Sequence, residues 1–279
     1  MTNPVFARNQ AFNPRPVATM GRQANPAAAQ QAPAAAQTTL AAEQLQAMYT
    51  APAAGAAQTG RITYDDVIVK TAGLLAVVVI LGAATWMVAP QLWPIGAIAG
   101  LVLAFVNIFK REPSPALILA YAACQGVFLG GISKFYEEYT AGVVVQALAA
   151  TGAVFGVTLA LFASGKVRAS GRATKIFFIA FAGYIVFALI NLVLVLTGAV
   201  DGFGMYQYKV AGIPLALVVG ILVVLIGAYS FVLDFEAVKV AVESGQPRKL
   251  AWTAAFAMMV TIVWLYLELL RIIAILRNN

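Results

Sequence analysis

Residues 67–89 read VIVKTAGLLAVVVILGAATWMVA, 23 residues interrupted by a single charge, Lys70. At 1.5 Å of rise per residue a helix of this length covers roughly 35 Å, enough to cross the ~30 Å hydrocarbon core of a bilayer. Backbone amides cannot stay unpaired in hydrocarbon, so a run of this kind in lipid must be helical. Lys70 lies near one end and can extend its ammonium to the headgroups while its methylenes remain in the apolar layer. The pattern then recurs, and further spans are expected near Leu92–Phe109, Pro115–Ser133, Ala141–Ala163, Thr174–Thr197, Ala211–Leu233 and Trp252–Leu276. Only Pro90 and Gln91 separate the first two, which predicts a tight helical hairpin. The chain reads as an all-α polytopic membrane protein with seven transmembrane helices.

Composition agrees with that reading. Of 279 residues, 62% are hydrophobic and 10% charged, whereas a soluble domain is about 25% charged. The formal charge of +7 comes from 18 Lys and Arg against 11 Asp and Glu. These bases lie between the apolar runs rather than in a stripe, so the expected partner is the lipid bilayer and not a nucleic acid. Eleven of them fall on one side of the predicted spans: Arg61, Lys70, Lys110, Arg111, Lys166, Arg168, Arg172, Lys175, Lys239, Arg248 and Lys249. Lys134, Lys209 and Arg277 fall on the other, among Glu137, Glu138 and Asp201. The bias predicts a cytoplasmic N-terminus and an extracytoplasmic C-terminus in a multi-pass protein of the cell membrane.

The chain divides into residues 1–60, expected to be a disordered cytoplasmic tail, and residues 61–279, the transmembrane domain. The tail is rich in Ala, Gln and Pro, as in AAAQQAPAAAQTT (27–39), and holds too little aliphatic material for a core. A short helical patch is expected over Ala41–Tyr49, and NPVF and FNPRP near the start could dock a cytoplasmic partner.

Histidine is absent and Cys124 is the sole cysteine. These counts exclude the usual zinc sites, a Ser-His-Asp triad, a histidine proton relay and an intrachain disulfide. The phosphate-loop, dinucleotide, zinc-protease and nucleophile-elbow motifs are missing as well. No enzymatic activity and no cofactor are expected. Any proton chemistry falls to carboxylates.

In a span the informative residue is the polar one. Glu268, in WLYLELLRI, lies deep within the last span, with Arg271 three residues on. They can pair within the helix, or Glu268 can face an internal pathway. Asp234, in YSFVLDFEAVKVAVESG, is the acid nearest the membrane at the end of span 6; Glu236 and Lys239 behind it can pair on a continuing helix. If Asp234 and Glu268 met, they would share a proton when close, repel when both ionised, and then attract a hard cation. Calcium takes six to eight oxygens, so two carboxylates suit transient passage better than a tight store. Gln125, mid-way along span 3, can line a pore or bond between helices. The pairs Gly96–Gly100, Gly126–Gly130 and Gly152–Gly156 predict close packing among spans 2, 3 and 4.

Four stretches carry a resemblance: MTNPVFARNQAF at the start, YAACQGVFLGGISKFY (121–136), VVVQALAATGAVFG (143–156) and AFAMMVTIVWLYLELLRIIAIL (255–276). On these the chain resembles the Bax inhibitor-1 (TMBIM, YccA-like) membrane proteins, in particular their actinobacterial branch. The resemblance implies a seven-helix bundle with the last helix central. It implies a pH-sensitive calcium leak gated by an acid pair between helices 6 and 7, with Asp234 and Glu268 at the matching positions and both as transient calcium ligands. Tyr266 keeps the context of the second acid, and Arg271 and Gln125 are possible supporting residues. Glu268 stands where the family's leak members carry Asp, and Gln125 where a Glu is often found. The alternatives are a non-transporting regulatory or scaffold protein of the same type and a proton-coupled small-solute carrier.

Overall fold

A computed structural model describes residues 60–110, 112–200 and 202–278. The tail, its helical patch over Ala41–Tyr49 and its docking motifs lie outside the described residues, as do Arg111 and Asp201. Among the described residues seven helices are long and apolar enough to cross a membrane. They are α1 (Tyr64–Val88), α2 (Trp93–Phe109), α3 (Pro115–Tyr139), α4 (Val143–Ala163), α5 (Gly171–Leu196), α6 (Leu215–Glu243) and α7 (Ala251–Arg277).

The helix ends depart from the apolar runs where polar groups decide them. Thr63 caps α1, its hydroxyl accepting the Asp66 amide at 3.1 Å, and Asp65 and Asp66 occupy the first turn, where the helix dipole favours anions. The α1–α2 link is a single 3-10 turn, Pro90–Leu92. Helix α3 continues to Tyr139, past its expected end at Ser133. Glu137 then accepts the amides of Gly142 and Val144 at 2.6 and 3.1 Å, and Gly142 takes φ +80°, so α4 starts at Val143 rather than Ala141. Ahead of α6, Lys209–Val210 (β1) and Ile213–Pro214 (β2) form a small antiparallel hairpin. Its turn places Ala211 and Gly212 at φ +50° and +81°, which moves the helix start from the expected Ala211 to Leu215. At its other end α6 runs to Glu243, the helical continuation expected behind the span that ends at Leu233.

Helix α7 is the centre. In its most apolar stretch 56% of residues are buried inside the protein, against 6% for α5. Ala251, Ala255, Met259, Leu265, Leu270 and Ala274 are all fully enclosed. It packs on α1, α3, α4 and α6, whereas α2 packs chiefly on α3. On α6, Gly220 and Gly227 admit Ile272 and Leu265 of α7. Between α4 and α6, Phe155 sets its ring edge-on to Phe231 and Phe235 at 5.2 and 5.7 Å. Outward faces are apolar and exposed, as at Ile98, Phe105, Ile179 and Leu192. Faces of this extent are unusual on a soluble monomer and expected in lipid.

The glycine pairs divide differently from expectation. On Gly126 an added Cβ would lie 2.8 Å from the Val78 carbonyl oxygen, and on Gly96 it would lie 2.7 Å from the Phe128 amide nitrogen. At Gly152 and Gly156 it would meet nothing within 4 Å. The close seam therefore joins α1, α2 and α3, with Gly82 opposite Gly130, and α4 is not part of it.

Charged links gather at one end of the bundle. Arg248 reaches Asp66 at 2.7 Å and Lys249 reaches Glu112 at 3.0 Å. The Ile62 amide donates to the Gln246 carbonyl, and the Arg248 amide to that of Gly60, both at 2.8 Å. The segment before α1 is thereby stitched to the α6–α7 link. At the opposite end Arg277 donates to the Ala141 carbonyl at 2.7 Å.

Candidate functional site

Thr261, Trp264, Glu268 and Arg271 follow at steps of three, four and three residues, so α7 carries them on one side. Glu268 is 7% exposed. The Tyr184 hydroxyl of α5 donates to its Oε1, and Arg271 donates to its Oε2. The same Arg271 nitrogen lies 3.0 Å from the Tyr184 hydroxyl and 2.7 Å from that of Tyr206. The guanidinium also sits 4.2 Å above the Tyr206 ring.

Tyr206 comes from the 3-10 turn Gly204–Gln207 of the α5–α6 link and is fully buried. Asn191 of α5 pulls that turn inward by accepting the Met205 amide at 2.7 Å. Gly204, at φ +66°, lies so close that an added Cβ would stand 2.9 Å from a Val195 methyl. Burial pushes the Tyr206 phenol above its usual range, so it keeps its proton at neutral pH.

The intrahelical Glu268–Arg271 pair anticipated from spacing is present, and two tyrosines from elsewhere enclose it. A buried ion pair repays desolvation only when its remaining hydrogen-bonding capacity is met. Here both carboxylate oxygens are met, one by the tyrosine and the other by the arginine, while the Arg271 Nε is buried without a hydrogen-bond partner among the described residues.

Asp234 sits half-buried on α6 and accepts from the Thr261 hydroxyl at 2.7 Å. It lies nine residues inside the helix end, where the expected continuation of the helix puts it. A 3-10 turn at Arg248–Leu250 leads into α7, which starts at Ala251, one residue before the expected Trp252. Yet the residue opposite Asp234 is Thr261, seven positions before Glu268 and about 10 Å away along the helix axis. The structure does not bring the two carboxylates into a shared hydrogen bond; each has its own partners. Thr261→Val removes the donor that holds Asp234 and is expected to cost about 1–3 kcal/mol, read as a lowered thermal midpoint in detergent. Thr261→Ser, which keeps the hydroxyl, should recover most of the loss.

The two supporting residues point elsewhere. Tyr266 is two positions from Glu268, about 200° around the helix, and its hydroxyl meets Ser133 of α3 at 2.6 Å. Gln125 faces the α2–α3 seam, its Nε2 3.1 Å from where a Cβ on Gly100 would stand. Its Oε1 is buried without a hydrogen-bond partner among the described residues. Of the expected set, the structure joins Glu268 with Arg271 and leaves Gln125 and Tyr266 apart from them. Thr261 and Tyr206 are additions. The step of seven residues to Glu268 points to Thr261, whereas nothing in the loop sequence GFGMYQ singles out Tyr206.

Among the described residues no three His, Cys, Asp or Glu side chains are grouped to hold a metal.

No curated protein matches the chain. The family model described as Bax inhibitor 1 like matches residues 3–278, and with that coverage the chain belongs to the Bax inhibitor 1 like family of membrane proteins.

Proposed function

We propose that this protein is a pH-responsive calcium leak whose pathway runs beside α6 and α7, with Asp234 and Glu268 as two successive carboxylate stations. The observation that carries this reading is Asp234. It is half-buried within a helix interface, with the Thr261 hydroxyl as partner and no cation paired to it among the described residues. An acid at such a position is costly to maintain in a membrane protein and marks a pathway by default. Glu268 differs, because Arg271 neutralises it; that ion pair is the closed arrangement of its station. The start of α1 and the links bearing Glu112, Arg168 and Arg248 share one end of the seven spans, which supports a single sidedness for them. With the basic excess there, that end is cytoplasmic, the C-terminus is extracytoplasmic and the host is the cell membrane.

Flux of calcium into liposomes containing the full chain tests the proposal. Flux should fall on acidification, as Asp234 takes up a proton and loses its attraction for the ion. Asp234→Asn should lower it by about tenfold or more and flatten its pH profile, and Glu268→Gln should alter the profile as well. Unchanged flux in both variants removes the pathway from these residues. A second reading, a non-transporting regulatory protein, draws on the stitching of Gly60–Ile62 to Gln246–Arg248, which anchors the segment before α1 to the α6–α7 link. Complete absence of flux, together with a stable partner lost on deleting residues 1–59, selects that reading.

A further inference from the structure

Two cavities of about 740 and 570 Å³ lie between α1 and α4 and share Thr71, Leu75 and Phe155, so they form one groove. Its floor is α7, with Met258 towards one end and Tyr266 towards the other. Its walls include Ile68, Val79 and Leu148, which are 62%, 66% and 57% exposed, so the groove opens sideways to lipid. Along α1 it extends from Tyr64 to Met87, roughly 35 Å at helical rise and thus the thickness of a bilayer core.

The groove is polarised. One end carries Arg168 and Lys239, and the other, around Trp86, Met87 and Val144, carries no charge. Lys239 is shared loosely with Glu236 and Glu243, each at 3.9 Å. Arg168 has no carboxylate partner among the described residues; its guanidinium lies 4.2 Å from the centre of the Phe162 ring. That stacking orients the planar fork at the groove mouth and leaves its N–H groups for an anion. The apolar length fits an acyl chain, and the uncompensated cation sits where a headgroup phosphate would lie.

We propose that this groove holds one anionic glycerophospholipid, its phosphate on Arg168 beside Lys239 and an acyl chain laid past Leu75 and Phe155 towards Gly152 and Tyr266. The site is separate from the Asp234 and Glu268 stations and depends on neither. A bound lipid here fills the space between α1 and α4 that protein side chains leave open, and it holds both helices against α7.

Native mass spectrometry of the purified full chain tests this, with phosphatidylglycerol or phosphatidylcholine of identical acyl chains added in detergent. One phosphatidylglycerol should be retained at a concentration about fivefold or more below that needed for phosphatidylcholine, the ratio expected from one interfacial cation. Arg168→Gln should erase that preference. Gly152→Phe should reduce retention of both lipids, because a side chain at Gly152 enters open groove space and meets nothing within 4 Å at its Cβ. An unchanged thermal midpoint in lipid-free detergent shows that the Gly152 variant is folded. Equal retention of the two lipids, a preference surviving Arg168→Gln, or full retention by folded Gly152→Phe overturns the assignment.

Discussion

Replacing Arg271 with glutamine is expected to destabilise the folded protein by about 3–5 kcal/mol, the usual cost of stranding one member of a buried ion pair. Glu268 is 7% exposed and would retain the Tyr184 hydroxyl as its partner, too little to solvate a carboxylate away from water. Arg271 also joins Tyr184 of α5 to Tyr206 of the following link, so the loss loosens the packing of α5 against the centre. Replacing both members by methionine removes the stranded charge, and that double variant should recover much of the loss. The coupling from a double-mutant cycle on thermal midpoints in detergent should lie at the upper end of the ~0.5–3 kcal/mol seen for contacting residues. Additive single-variant costs would show that the two side chains do not act as a pair.

The second large effect is expected at the α1–α3 seam. Gly130→Ala places a methyl against the Gly82 backbone, and Gly126→Ala places one 2.8 Å from the Val78 carbonyl oxygen and 2.8 Å from the Leu81 Cβ. A backbone obstacle cannot rotate away, so the helices must separate and forfeit packing that in a membrane carries most of the association. Each substitution should cost about 1–3 kcal/mol or more, with Gly130 the worse of the two. Gly156→Ala meets nothing within 4 Å and should be neutral or stabilising by up to ~1 kcal/mol, since alanine favours a helix over glycine. Unfolding in detergent separates these outcomes. Equal losses at Gly130 and Gly156 would contradict a seam confined to α1, α2 and α3.

The positions of the helices were legible because length and apolarity suffice to specify a span. Their ends were less so, because capping groups set them. Glu137 lies beyond the expected end of span 3 and shapes the start of α4 from there. The hairpin turn at Ala211 and Gly212 hides inside an apolar stretch. Small-residue spacing revealed faces that allow close approach but not which helix uses them, and Gly152 shows that an allowed face can stay open. Glu268 and Arg271 could be paired from sequence, since three residues on one helix fix their geometry. Asp234 and Glu268 could not, because the sliding register between two helices is set by the link joining them. The turn through Gly245, at φ +63°, and the 3-10 segment after it bring Thr261 opposite Asp234 instead.

Helix α7 is the most enclosed element and also the last of the seven helices to leave the ribosome. Its 27 residues take about 1–5 s to synthesise at 5–20 residues per second. Until they arrive, Ser133, Tyr184 and Asp234 lack the side chains that later satisfy them. The first six helices must therefore insert around an unfilled socket, with their polar groups solvated by water, by one another or by the insertion machinery. Assembly order runs opposite to architectural order: the axle is fitted after the wheel. A chain cut short after α6 would keep the α1–α2–α3 seam and the ring contacts between α4 and α6, and would lose the helix against which both sets are packed.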